Sequence, residues 1–180
     1  HFIDKFFNWR RHQEMTPPDL EKLYEEHARA LFGFLLNLTR SEADTLDLLQ
    51  QVFVKLASTP SLLNGVREPR RFLIRLAHNL AVDSMRRRST REKNCEEFSA
   101  QVSIFARSDD PDEASFRSAL DSALTELPED QRAVVHLKLW EGLTFEQIGA
   151  VLNIPPNTAA SRYRYGLDKL RQRLRPIYDE

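Results

Sequence analysis

The sequence is poor in the residues on which several special architectures depend. It has one cysteine, Cys95, so no disulfide can form within the chain. No Cys/His grouping has the spacing of a zinc site. Five glycines in 180 residues are too few for a fold built on tight β-turns. No run approaches the roughly 18 apolar residues of a membrane helix, which argues against membrane insertion. There is no Ser/His/Asp set, no Gly-rich phosphate loop and no paired carboxylate arrangement with a base, which argues against an enzyme. Nothing calls for a metal or another cofactor. A net charge of -1, taken alone, also argues against a polyanionic partner.

That last inference fails once charge is followed along the chain. Residues 67–93 carry nine basic residues against three acidic ones. Residues 160–175 carry six against one. Between these blocks, residues 94–130 hold ten acids and two bases. The total is a cancellation of two basic segments by an acidic one. The apolar share of 41% supports a core, and the length suits one ordinary domain or two small ones.

The hydrophobic period is helical throughout. Thr16 and Pro17 read as the N-cap and first residue of a helix whose apolar positions run from Leu20 to Leu38. Ser41 caps a second, with Leu46, Leu49, Val52, Phe53 and Leu56 as its apolar positions. Thr59-Pro60 ends it, because the residue before proline avoids the α region. Residues 60–68 read as a loop. Pro69 opens a third helix with Phe72, Leu73, Leu76, Ala77, Leu80 and Met85 on one side, ending in Arg86-Arg87-Arg88. Residues 94–115 read as an acidic linker, although Phe98, Val102, Ile104 and Phe105 could pack on a neighbour. A helix over 116–127 follows, then one over 128–141 with Val134, Val135, Leu137, Leu139 and Trp140 largely buried. Gly142 stops that helix. Thr144 with Gln147 forms a capping box for a short helix containing Ile148 and Leu152. Asn157 caps the last helix, with Tyr163, Leu167, Leu170 and Leu174 on one face. The fold class expected is all-α. It comprises an N-terminal extension (1–15, native or appended), a helical domain (16–93), a flexible acidic linker (94–115) and a second helical domain (116–180).

Three features carry chemistry. Residues 143–171 read as a helix-turn-helix, in which the second helix enters the major groove. Ser161, Arg162, Arg164, Tyr165 and Lys169 lie away from its apolar face, suited to base edges and phosphates. The Asn157 cap leaves free N–H groups at the helix start, a further phosphate site. The helix 69–88 presents Arg71, Arg75, His78, Asn79 and Arg86 beside a loop with Asn64 and Arg67, suited to a splayed-out strand. The stretch Asp47-Leu48-Leu49-Gln50-Gln51-Val52-Phe53 has more leucine than one buried face requires, leaving a second face for a partner.

Four stretches, in this order, resemble the extracytoplasmic-function sigma factors, the minimal two-domain class of bacterial sigma subunits. They are Ala43–Phe53; Arg71-Phe72-Leu73-Ile74-Arg75-Leu76-Ala77-His78-Asn79-Leu80-Ala81-Val82-Asp83; Leu127-Pro128-Glu129-Asp130-Gln131-Arg132; and Gly142–Gly149 followed by Ile154–Arg162. The resemblance spans roughly residues 20–174. It implies a cytoplasmic, non-enzymatic subunit that binds core RNA polymerase and directs promoter-specific initiation, and that is held inactive by an anti-sigma factor. It implies that Asp47, Leu49, Gln50 and Gln51 dock on the polymerase clamp helices. It implies that Asn64, Arg67, Arg71, Arg75, His78, Asn79, Arg86 and Arg87 serve melting and reading of the −10 element on the non-template strand. Lys138, Thr158, Ser161, Arg162, Arg164, Tyr165 and Lys169 would contact the duplex −35 element. The chain departs from the family pattern at Gln51, Phe145, Asn157, Ala160 and Tyr165-Gly166, so the −35 sequence preference does not transfer with the binding role. A plain helix-turn-helix repressor would explain residues 143–171 but not the Asp47–Phe53 stretch or the basic helix after Pro69.

Overall fold

A computed structural model describes residues 17–91 and 111–178. The 1–15 extension, the Thr16 cap and residues 94–110 of the expected linker, with Phe98, Val102, Ile104 and Phe105, lie outside the described residues. Among the described residues there are seven α-helices, one short 3-10 turn and no strand. The helices are α1 (Pro17–Thr39), α2 (Glu42–Ser58), α3 (Pro69–Arg91), α4 (Pro111–Thr125), α5 (Glu129–Leu139), α6 (Phe145–Leu152) and α7 (Pro156–Tyr178).

Most boundaries follow from local chemistry. Pro17 opens α1, where its missing N–H costs nothing. The Ser41 side chain accepts the Asp44 N–H at 3.3 Å and caps α2. Thr59 closes α2, and Pro60 starts the 3-10 turn Pro60–Leu63 within the expected loop. Gly65 follows at φ +73°, a value glycine adopts without cost.

Three expectations are corrected. α4 starts at Pro111, not Phe116. Asp110-Pro111 reads as a linker signal, but a proline at the first helical position does the same as at Pro17. α7 starts at Pro156, so Asn157 lies inside its first turn and is not the cap. The fixed φ of Pro156 begins the helix two residues earlier than a cap at Asn157 would. In α5, Val134, Val135 and Leu137 are fully buried, whereas Leu139 and Trp140 are 52% and 40% exposed. They fall where α5 ends and its covered face runs out.

α1, α2 and α3 pack on one another, and α7 packs on α4, α5 and α6. These are the two expected helical units. They also share a core: α1 packs on α5, and α3 packs on α6. Phe34, Leu35 and Leu38 of α1 lie in one cluster with Val52 and Leu56 of α2, Leu73 and Ile74 of α3, Val134 and Leu137 of α5 and Ile148 of α6. Each such side chain contributes about 1.5–3 kcal/mol when fully buried. The run Phe34-Leu35-Leu36-Asn37-Leu38 is buried at every position, which one helix stripe against one domain does not require. The smaller cluster, Leu124, Leu127, Val135 and Leu170, holds α7 in the second unit.

Candidate nucleic-acid interface

The second unit is built to hold α6 and α7 at a fixed angle. Thr144 and Gln147 form the capping box: Thr144 Oγ1 accepts the Gln147 N–H at 3.2 Å, and Gln147 Oε1 accepts the Thr144 N–H at 2.9 Å. Asn153 closes α6 at φ +56°, a left-handed conformation asparagine tolerates better than most residues. The Ile154 N–H then donates to the Gly149 carbonyl at 3.0 Å. A Cβ on Gly149 would sit 2.6 Å from the Ile154 carbonyl oxygen, so glycine lets the turn fold onto α6. Gly166 plays the same part where α7 crosses α5, with Val135 Cγ2 2.7 Å from a Cβ position.

The inner face of α7 is Ala159, Tyr163, Leu167, Leu170 and Leu174. Its outer face presents Arg164, Tyr165 and Lys169. Tyr165 is 53% exposed, and the Arg164 guanidinium lies 5.2 Å from its ring centroid. This is a cation and an aromatic edge side by side on a rigid helix. The other expected contacts are more engaged. Arg162 pairs with Asp130 at 3.0 Å. The half-buried Ser161 hydroxyl donates to the Asn157 carbonyl at 2.8 Å, and Thr158 is half-buried. Lys138 donates to the Leu143 carbonyl at 3.0 Å, with its ammonium 4.9 Å from the Phe145 ring centroid. It braces the turn before α6.

On the first unit, Asn64, Arg67, Arg75, Asn79, Arg86 and Arg87 are exposed. Arg71 pairs with Glu68 at 3.2 Å, and Arg75 lies over the Phe72 ring at 5.8 Å. A cleft of about 440 Å³ opens between the loop 65–68, Arg71, Phe72 and Arg75 on one side and Gln147, Ala150 and Val151 of α6 on the other. His78 is not on this surface. It is half-buried, its ring centroid 6.5 Å from that of Phe34, and burial lowers its pKa.

On α2, Asp47, Gln50 and Gln51 are exposed, but Leu49 is 6% exposed and belongs to the core. The apolar members of that outer face are Leu46, 51% exposed, and Val54, 37% exposed. Leu46, Gln50 and Val54 are four residues apart and share one stripe. Counting leucines detects that a second face exists, but not which leucine turns outward. Among the described residues no group of three or more His, Cys, Asp or Glu could hold a metal. No described helix is long and apolar enough to cross a membrane.

A helix-turn-helix unit with a basic outer helix, joined to a three-helix unit with a basic face and a partly apolar outer stripe on α2, defines an all-α protein of two helical units. The comparisons agree with that class. Residues 23–91 match the Sigma-70 region 2 family, and residues 123–172 match Sigma-70, region 4. The chain is 35% identical over 158 residues to the RNA polymerase sigma factor CarQ of Myxococcus xanthus, covering 86% of this chain and 88% of that protein. It is 29% identical over 161 residues to the ECF RNA polymerase sigma factor SigL of Mycobacterium tuberculosis, covering 88% and 90%. The solved complex of the sigma factor RpoE with the anti-sigma factor NepR from Bartonella quintana contains a chain of the same fold. Its TM-score is 0.72 at 19% identity, covering 87% of this chain and 97% of that one. The chain belongs to the extracytoplasmic-function sigma factors, which are non-enzymatic transcription-initiation subunits.

Proposed function

We propose that this sigma factor divides promoter recognition between its two units. The observation that carries this reading is the pair of basic surfaces: Arg164, Tyr165 and Lys169 on α7, and Arg71 and Arg75 of α3 with Arg67 of the loop before it, beside the cleft of the first unit. α7 enters the major groove at the −35 element, where Arg164 reads base edges and Lys169 neutralises phosphate. Thr158, Ser161 and Arg162 lie on the approach to the groove, Arg162 exchanging Asp130 for phosphate on contact. The loop with Asn64 and Arg67, followed by Arg71, Arg75, Asn79, Arg86 and Arg87, holds the melted non-template strand of the −10 element. His78 supports that helix from inside. Asp47, Gln50 and Gln51, with Leu46 and Val54, form the stripe that docks on the clamp helices of core RNA polymerase. Leu49 holds that stripe in place. The protein acts in the cytoplasm, where its DNA is.

An anti-sigma factor that covers these surfaces in the resting cell fits the same reading. The structural neighbour in complex with one supports it. In vitro transcription with core polymerase on a promoter library tests the function directly. Initiation at a defined −35/−10 pair only when the protein is added supports the reading. Absence of promoter-selective initiation refutes it.

A further inference from the structure

The acidic segment that cancels the chain's basic charge ends against the basic helix of the second unit. Glu126, Glu129 and Asp130 are its last acids and lie where α4 turns into α5. Two of them reach α7. Arg162 Nε lies 3.0 Å from Asp130 Oδ2, and Arg173 pairs with Glu126 at 2.5 Å. Arg162, Lys169 and Arg173 stand seven and four residues apart, so they share one edge of α7 over about 16 Å. Carboxylates therefore cover both ends of a three-cation edge, with the exposed Lys169 between them.

Helix chemistry accounts for only part of this arrangement. The macrodipole favours acids in the first turn of α5, which suits Glu129 and Asp130. Glu126 follows the last residue of α4, where the macrodipole disfavours an anion. Its pairing with Arg173 accounts for that position. Asp130 is anchored as well as paired: its Oδ1 accepts the Gln131 N–H at 2.9 Å while Oδ2 faces Arg162. The backbone bond fixes the carboxylate, so an anion stands at a set place beside α7, as a phosphate oxygen would. Gly166, four residues after Arg162, lets α7 lie close on Val135 and Gln131 of α5 and so keeps the two partners near each other.

We propose that Asp130, seconded by Glu126, is a positioning residue that holds Arg162 on the protein and thereby sets how tightly, and with what salt dependence, α7 binds duplex DNA. This rests on the reading of α7 as the −35 helix. Phosphate affinity follows the counterions that incoming cations displace from DNA. An arginine balanced by an anchored carboxylate contributes little to that release, and it must leave one partner to gain the other. The exchange weighs most on sequence-independent binding, which is essentially all electrostatic. Arg164, two residues on and on the other side of the helix, keeps its base contact. The free chain therefore spends less of its time on DNA that carries no promoter.

Asp130→Asn removes the charge and keeps an oxygen for the Gln131 N–H. Glu126→Gln does the equivalent beside Arg173. Both positions are exposed, so both variants fold. Glu21→Gln makes the same change in net charge at an exposed position on α1, which packs on α2, α3 and α5. The full chain and each variant are titrated against a fluorescein-labelled duplex of mixed sequence at several KCl concentrations, with thermal melts alongside. Asp130→Asn is expected to bind about two- to fivefold tighter, within the range of an exposed ion pair. The fall of log affinity with log salt steepens by about 0.9, one charge's worth. Glu126→Gln moves both quantities the same way but less, because Arg173 lies farther from the end of α7 that leads into the groove. Asp130→Glu and Glu21→Gln stay near wild type. An Asp130→Asn chain with wild-type affinity and slope would overturn the proposal, whether or not its melting temperature drops, since a lower melting temperature alone marks a helix-end residue. An equal gain in Glu21→Gln would overturn it too, by making net charge responsible. If Arg164→Ala and Lys169→Ala both leave duplex binding unchanged, or no form binds the duplex, the reading of α7 fails first and the proposal falls with it.

Discussion

Replacing Gly149 by alanine places a methyl carbon 2.6 Å from the Ile154 carbonyl oxygen and 3.4 Å from the Pro156 nitrogen. Both are backbone atoms, so no side chain can rotate away. To reach an ordinary contact of 3.4 Å, the turn before α7 must retreat by about 0.8 Å, against the Ile154–Gly149 hydrogen bond. Overpacking of this kind costs about 3 kcal/mol at the upper end of its usual range. Helix propensity returns about 1 kcal/mol when glycine becomes alanine. The net expectation is a loss of about 2 kcal/mol. Gly33 in α1 is the control, because a Cβ there meets nothing within 4 Å. Gly33→Ala gains the propensity term alone, about 1 kcal/mol. For a chain of this size 1 kcal/mol moves Tm by about 2–4 °C. Thermal melts followed by circular dichroism therefore separate the two changes in sign: down by about 4–8 °C for Gly149→Ala and up by about 2–4 °C for Gly33→Ala. Because the displaced turn carries α7, Gly149→Ala also weakens binding to promoter duplex. A Gly149→Ala protein that melts at or above the wild-type temperature would refute the close-approach argument.

Three further outcomes are expected. Leu49→Ala destabilises the fold by about 2–4 kcal/mol in urea titration, as a buried leucine does, whereas Leu46→Asp leaves stability within about 0.5 kcal/mol and weakens polymerase binding; equal stability effects would contradict the assignment of the two faces. Burial holds His136 at a pKa of about 4, below its ordinary 6.5. The unfolded chain takes up the proton first, so stability is complete above pH 6.5 and falls towards pH 4. The loss between pH 7.5 and 5 is about 2 kcal/mol, and a His136→Leu chain that keeps the full pH dependence would assign it elsewhere. Arg164→Ala lowers affinity for −35 duplex by about 1–3 kcal/mol and flattens preference at one base position; unchanged affinity in a salt-controlled binding assay would remove Arg164 from base readout.

The helix-turn-helix was legible because its signals are local. The Thr144/Gln147 capping box acts within a few residues, and the structure keeps it; the Asn153 cap that closes α6 is local too, but only the structure shows it. The same local logic misplaced the start of α4 and the cap of α7, because a proline signals a linker and a helical first turn equally well. Leu46 and Leu49 were indistinguishable for another reason: a leucine-rich helix fixes the number of apolar faces, not the rotation of the helix about its axis. The seam between the two units was the least legible part. Asn37, Arg40 and Arg132 are ordinary polar residues in sequence, and their partners lie 81 to 95 positions away. A hint was present in the continuous burial demand of Phe34-Leu35-Leu36-Asn37-Leu38, which exceeds what a three-helix unit absorbs.

α1 therefore has two clients. One side belongs permanently to its own unit; the other, through Phe34 beside His136 at 5.4 Å, belongs to α5. Whenever the units part, α1 and α5 each lose an apolar cover. An uncovered patch of this kind is what chaperones and proteases select. The freed chain is thus placed on a clock: its survival depends on how soon another surface replaces the one it gave up.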